Sequence, residues 1–479
     1  MTTILLLPEY NNLGIMMSDA TNVQAGRAEW LREAKTTLIL AWPLIAAQLA
    51  QIGLGTTDVI MMSWLGPEYL AAGTLSTSIM FLFLIFGIGI ATAVSPLMAQ
   101  AVGREDYRSV RRTVRQGFWV AFLFATILVP FILQIEWIFS VLGQDPELGK
   151  LADSYIQFAA FQFYPFLMFT VLRGFLSAHE DTSVVLIATL IGIVVNAIGN
   201  YALMFGNFGF PRLELAGAGI STIIVHSVTF LFGLGYVLTR QKYRHYQLLL
   251  RFWKPDWQRF FEIIRVGTPI GFMLTAEVGL FSVAAVMMGW LSTLELAAHA
   301  VAIQLASISF MVPLGLSQAT TIRVGLQYGR DNHKGIGIAG WTSIALGTGF
   351  MAITCTLFIL FPNMFVSLFI DASKPENLEV FALAASYLAV AGLFQLVDGA
   401  QAMAAASLRG LSDTKVPMYG AIFGYWLMGL PIAYYLGFQT ELRGVGVWLG
   451  LAGGLAIVAV ILTWRFALRE KLGLLKSQE

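Results

Sequence analysis

The sequence predicts an all-α polytopic membrane protein, with twelve transmembrane helices in two pseudo-symmetric six-helix bundles. Composition gives the first reason: of 479 residues, 57% are hydrophobic and only 12% charged, about half the charge of an ordinary soluble domain. A chain this apolar cannot hide its surface in one aqueous core and needs lipid as solvent. Second, apolar runs near or above the ~20 residues that cross a bilayer recur along the whole length. Third, the chain is written twice. Trp42-Pro43-Leu44 opens a stretch that returns at Thr268-Pro269-Ile270, about 226 residues on.

Each element follows in order. Residues 1-36 read as a cytoplasmic tail. They lack a basic n-region, and Ile4-Leu5-Leu6-Leu7 is too short for a signal-peptide core, so a disordered segment is expected before an amphipathic start near Glu29-Trp30-Leu31-Arg32. Spans at 37-63, 70-98, 117-142, 150-172, 184-206 and 216-238 make an N-lobe over 37-239. A basic, aromatic linker at 240-262 follows, read as lying against anionic headgroups rather than nucleic acid. Spans at 263-291, 296-322, 338-369, 378-406, 416-437 and 444-466 make a C-lobe over 263-466, and 467-479 is a second cytoplasmic tail.

The repeat runs through both lobes. Met61-Met62-Ser63-Trp64-Leu65 aligns with Met287-Met288-Gly289-Trp290-Leu291, and Gly103-Arg104-Glu105 with Gly329-Arg330-Asp331. With drifting offset, Leu172-Arg173-Gly174 returns as Leu408-Arg409-Gly410. Of the 29 basic residues, all but Lys150, Arg212, Lys374 and Arg443 fall to one side of this topology, from Arg27 to Lys476. Basic loops stay cytoplasmic, so both termini face the cytoplasm. Each half then holds an even number of spans, and the repeats are parallel, with an axis along the membrane normal.

Several function classes drop out. Cys355 is the only cysteine, which excludes an intrachain disulfide and a thiolate cluster. No Walker-type phosphate loop is present, so no nucleotide cofactor is expected. Clustered acid-base or metal residues of a membrane enzyme are not evident, nor the charge rings or filter loop of a channel. The expected partners are small molecules and the bilayer, with no nucleic acid, and the expected state is a monomer.

Three carboxylates lie inside apolar spans: Asp58, Glu277 and Asp398. A charge at mid-bilayer costs about 2.5–3.5 kcal/mol on insertion scales, so such residues are functional candidates. At the repeat spacing Glu277 falls on Gln51 and Asp58 on Ala284, so the halves differ where charge is costly. Asn196 and Asn200, four apart, share one face of the fifth span, and Thr222 sits in the sixth. With Asp58 they make either an ion or proton network or an interhelical hydrogen-bond lattice. His226 and His299 read as packing groups. Pro43 and Pro269 occupy equivalent places and favour a shared kink.

Phe310-Met311-Val312-Pro313-Leu314-Gly315-Leu316-Ser317-Gln318-Ala319 to Arg323-Val324-Gly325 resembles the eighth-span signature of multidrug and toxic compound extrusion (MATE) transporters. Leu408-Arg409-Gly410-Leu411-Ser412-Asp413-Thr414-Lys415-Val416-Pro417 is similar to their motif after span ten, and Glu277 and Asp398 match acidic positions of the NorM-type bacterial branch. The resemblance covers about residues 30 to 468. It implies a V-shaped fold and a secondary-active efflux antiporter of the bacterial inner membrane. Entering protons or sodium ions would drive out cationic or amphiphilic compounds by alternating access, with no ATPase. It also implies a C-lobe ion-coupling pair, Glu277 and Asp398, the only place a Na+ is anticipated, and a possible N-lobe network of Asp58, Asn196, Asn200 and Thr222. Two departures weaken the match: some branches carry an acid at the position of Asn200, and some place a tyrosine at that of Phe394. The competing readings are a lipid-linked precursor flippase, which would want a basic central cavity and hence mid-span Arg or Lys, of which none is evident, and a non-coupled channel or scaffold.

Overall fold

Without water in the bilayer core, every backbone N–H and C=O must be satisfied within its own segment, so twelve apolar runs fold as twelve helices. The computed structural model describes residues 10–475 except Leu142 and Gln144; Lys476 lies outside them. The first helix is α1 (Tyr10–Leu65). The N-lobe continues with α2 (Pro67–Gly103), α3 (Tyr107–Ile132), α4 (Pro146–Ala178), α5 (Thr182–Phe205) and α6 (Glu214–Thr239). The C-lobe holds α7 (Trp257–Leu291), α8 (Thr293–Gly329), α9 (His333–Leu360), α10 (Pro375–Gly410), α11 (Lys415–Phe438) and α12 (Arg443–Ala467).

One boundary differs from expectation. The tail assigned to 1-36 is helical from Tyr10 onward and continuous with the first span, whose membrane-length part begins at Gly26. Its start is held by the other lobe: Glu29 pairs with Lys334 at 2.7 Å and Glu33 with Arg323 at 2.7 Å. Residues 1–9 lie outside the described residues.

Helix starts use side-chain caps that satisfy orphan N–H groups. Asp106 accepts from the Ser109 N–H before α3, Ser292 from Glu295 before α8, and Asn332 from Gly335 before α9. Three spans are interrupted. A turn at Ala93 divides α2, a 3-10 turn at Ala160–Gln162 divides α4, and α11 carries a π stretch at Ile422–Gly429 just before Pro431. Proline has no N–H to give the ladder, and a π bulge is one way a helix absorbs that loss.

The two lobes pack by the same scheme. In the N-lobe α1 packs on α5, α2 on α4, α4 on α6 and α5 on α6; in the C-lobe α7 packs on α11, α8 on α10, α10 on α12 and α11 on α12. Contacts between lobes are equally paired, α2 on α7 and α1 on α8. The backbones also come close on the axis relating the lobes. A Cβ on Gly103 would lie 3.0 Å from the Cα of Gly329, and one on Gly329 would lie 3.0 Å from the Cα of Gly103. Only residues without side chains permit that approach.

The central linker docks against the N-lobe rather than running free. Tyr243, Tyr246 and Leu248 are buried. Tyr243 donates to Asp181, His179 bonds the Tyr246 hydroxyl at 2.8 Å, and the Trp119 indole donates to Phe252 O at 3.2 Å. Arg112 and Asp256 form an ion pair, and Asp256 also caps α7 through the Arg259 N–H. The Arg112 guanidinium holds the Asp256 carboxyl below the usual carboxylate range, against a smaller opposing push from burial. A depressed pKa adds stability above the unfolded value of about 3.9 that disappears as pH falls through the folded value. Asp256→Asn keeps a capping oxygen and removes the charge. It is expected to cost about 0.5–1 kcal/mol near pH 7, since the Arg112 side chain is 40% exposed and solvent screens the pair. The deficit should vanish well below pH 4 in melting of the purified protein; an equal deficit at both pH values would assign it to the cap.

Candidate functional site

Glu277 projects from α7 and Asp398 from α10 into one cavity of about 430 Å³ inside the C-lobe. The third wall is α8, and the surface between the acids is mostly apolar: Phe281, Phe310, Met311 and Phe394, with Ser282, Ser307 and His299 as polar points. The helical ladder places these groups together, because Phe394 and Asp398 are one turn apart on α10, as are Glu277 and Phe281 on α7. Asp398 is only 4% exposed, and its Oδ1 is buried without a hydrogen-bond partner. Neither acid belongs to an ion pair with a Lys or Arg among the described residues, whereas Glu33, Glu295, Asp256 and Asp413 each do. The two acids also act electrostatically on one another. Arg409 acts on Glu277 electrostatically without forming an ion pair, and ionisable groups buried in apolar spans are functional candidates by default. Among the described residues no three His, Cys, Asp or Glu side chains cluster as a metal site.

Three of the four N-lobe residues, Asp58, Asn196 and Asn200, come together. Asp58 Oδ1 on α1 accepts from the Asn196 amide at 2.8 Å and the Asn200 amide at 2.6 Å, both on α5. Thr222 on α6 donates to Ala218 O at 2.9 Å. Both amide oxygens, Asn196 Oδ1 and Asn200 Oδ1, are buried without partners. In this arrangement the amides serve the carboxyl as donors, the geometry of a hydrogen-bond lattice. Turning both amides over would present three oxygens in its place.

Several groups escaped the sequence reading. His299, read as packing, lines the C-lobe cavity and has an unpartnered Nδ1 beside the Trp448 ring at 5.4 Å between centroids. Tyr425 on α11 is buried with an unpartnered hydroxyl within electrostatic reach of both acids. Tyr155 on α4 touches Thr222 and feels Asp58. One expectation is corrected: Arg173 and Arg409, counted with the basic loops, sit inside α4 and α10 and line a small pocket between the lobes. A terminal position in an apolar run had concealed them.

Comparison with known proteins agrees with the repeat and the fold. The MatE family model matches this chain twice, over residues 43–202 and 269–435. A probable multidrug resistance protein NorM of Mesorhizobium japonicum is 45% identical over 445 residues, which cover 92% of this chain and 95% of that one. A protein of the same description from Synechocystis sp. is 36% identical, covering 91% and 94%. Two solved structures share the fold: the eukaryotic MATE transporter AtDTX14 at a TM-score of 0.81, with 22% identity over 92% of this chain and 96% of that one, and an outward-facing multidrug resistance MATE family transporter of the MOP superfamily at 0.82, with 21% identity over 93% and 97%. A doubled family match across both lobes, joined to relatives of this identity along nearly the whole chain, places the protein in the MatE family.

Proposed function

We propose that the protein is a secondary-active multidrug efflux antiporter, which expels cationic or amphiphilic compounds in exchange for protons or sodium ions by alternating access. The observation that carries this is the pair of acids without an ion-pair partner, Glu277 and Asp398, in a mostly apolar cavity large enough for a small molecule. An aromatic, methionine-containing wall suits varied amphiphiles, and the acids give a cationic group its counter-charge. An ion bound at the same acids competes with such a compound, and this competition is what exchange requires. A membrane potential of about 100 mV supplies roughly 2.3 kcal/mol per charge moved, enough to hold a gradient near fifty-fold. ATP is unnecessary. The bacterial NorM relatives support an inner-membrane location, and the asymmetry of basic residues supports cytoplasmic termini, so the end where Glu33 meets Arg323 is the cytoplasmic one.

The lipid-precursor flippase gains one supporting feature, the arginine pair between the lobes. Their pocket of about 20 Å³ is far too small for a pyrophosphate, and the large cavity is acidic. Antiport is therefore the better reading. Everted vesicles given a cationic dye in the surrounding medium test it, because their outward-facing cytoplasmic side presents the dye to an exporter. Dye movement should follow an imposed proton or sodium gradient and stop when both are collapsed. Movement driven by ATP with every ion gradient abolished would exclude the mechanism.

A further inference from the structure

Four buried polar atoms without hydrogen-bond partners gather at the end of the C-lobe opposite the Glu33–Arg323 seam. They are Glu295 Oε2 and His299 Nδ1 on α8, the Tyr387 hydroxyl on α10 and the Trp448 indole nitrogen on α12. All four residues are buried. Arg443 Nε engages Glu295 Oε1 at 2.9 Å and leaves Oε2 free. That oxygen and the Tyr387 hydroxyl converge on one point: a Cβ on Gly444 would lie 2.6 Å from Oε2 and closer still to the hydroxyl. One turn deeper on α8 and α12, the His299 and Trp448 rings lie 5.4 Å apart between centroids. His299 in turn lines the cavity that holds Glu277 and Asp398. Buried polar groups are nearly always paired, so a run of unpaired ones from the lobe end to the coupling cavity needs a reason.

The N-lobe copy shows that the reason is not the joining of helix ends. At the repeat spacing Tyr69 stands in the place of Glu295 and Gly73 in that of His299. Tyr69 ties α2 to α6 by donating to Glu214 at 2.6 Å, as Glu295 ties α8 to α12 through Arg443. A clasp at this end therefore requires neither a buried acid nor an imidazole. Those two groups occur in the lobe that also carries the coupling pair.

We propose that Glu295 and His299 carry protons from the outer end of the C-lobe into the acidic cavity, which makes the proton the coupling ion. The proposal rests on the antiport reading. Residues four apart on a helix have Cβ atoms about 5–6 Å apart, a gap that the Tyr387 hydroxyl or one water spans. An incoming proton adds to the carboxylate at Oε2 and passes to one ring nitrogen of His299. The ring releases the proton on its other nitrogen to water in the cavity, and from there it reaches Glu277 or Asp398. A ring flip restores the first tautomer, so one proton enters for each one delivered. The route excludes sodium, because a hard cation needs several oxygen ligands in place of its water and would have to pass the Arg443 guanidinium. The charged and titratable groups facing the route are Arg443 from α12, Tyr387 and Asp398 from α10 and Glu277 from α7. Tyr425 of α11 lies within electrostatic reach of both acids.

Infrared difference spectra of the purified full chain after a rapid drop in pH read the relay without transport. The carboxylic C=O band that is missing in Asp398→Asn reports protonation of the coupling site. Glu295→Gln and His299→Phe should each slow its rise about tenfold and leave its final size unchanged. Arg443→Gln breaks the same ion pair but keeps the carboxyl, and Tyr69→Phe breaks the N-lobe clasp; neither should slow the band. In everted vesicles, Glu295→Gln should raise the luminal proton concentration for half-maximal dye uptake about tenfold at an unchanged maximal rate. A band that rises at the wild-type rate in both variants, or slows as much in Arg443→Gln, would overturn the relay. Dye uptake driven by sodium and not by protons would overturn it as well and leave antiport standing. A wild-type protein that moves no dye under any ion gradient would overturn the antiport reading, an outcome distinct from a normal wild type with unshifted variants.

Discussion

Replacing Asp398 with Asn or Glu277 with Gln is expected to abolish dye efflux and drug resistance while the protein remains in the membrane at normal abundance. Both substitutions preserve shape and hydrogen-bonding capacity. Each removes the ability to take up and release a cation. The acids make no ion pair to a Lys or Arg in the described structure, and Asp398 Oδ1 has no partner to lose, so folding should be little affected. A structural role would give the opposite pattern, with lower abundance and intact residual transport. Transport is measured in the everted-vesicle assay, and binding of a cationic dye is titrated with the coupling ion. Wild-type protein should lose dye affinity as ion is added, and Asp398→Asn should not. If both variants pump at the wild-type rate, the acids are scaffold and the coupling mechanism fails.

The second large effect concerns the seam. Arg323 on α8 donates to Glu33 on α1 through two bonds of 2.8 and 2.7 Å and to Glu180 at 3.0 Å. The Arg323 and Glu33 side chains are 9% and 11% exposed. Truncating one partner of such a pair leaves a buried charge alone and costs about 3–5 kcal/mol, whereas replacing both with apolar groups is often close to neutral. Arg323→Met should therefore destabilise the protein strongly in denaturant titrations, and Arg323→Met with Glu33→Met should recover most of the loss. A single variant as stable as wild type, or a double variant no better than the single, would show that the triad does not join the lobes.

The fold was legible because lipid imposes a coarse rule: each span must be long, apolar and helical. The acids were legible for the same reason, since Asp58, Glu277 and Asp398 are conspicuous against apolar neighbours. Asn196 and Asn200 were legible through their four-residue spacing, which brings both amides to Asp58. What the sequence hid was pairing across long separations. Nothing near Glu33 announces that it meets Arg323, and nothing near Arg173 announces Arg409. An arginine at the end of a span looks like ordinary loop charge, and only the meeting of two lobes puts both in the lining of one pocket. His299 escaped for a related reason, because a histidine on an apolar face looks the same whether it packs or lines a cavity. The early start of α1 was hidden because its anchors, Lys334 and Arg323, lie in the other half of the chain.

The contact of Gly103 with Gly329 bears on how such a chain arises. A residue placed on a two-fold axis meets its own copy, so in a dimer of identical half-chains this would be one glycine touching itself. Any side chain gained there would have collided twice over, with no second gene in which a compensating change could occur. Fusion of the halves lifts that constraint. Off the axis, Gln51 and Glu277 were free to part company. On it, Gly103 and Gly329 still have each other as neighbours, and Ala99 likewise meets its counterpart Gly325, so the fused chain keeps the imprint of a homodimer along that seam.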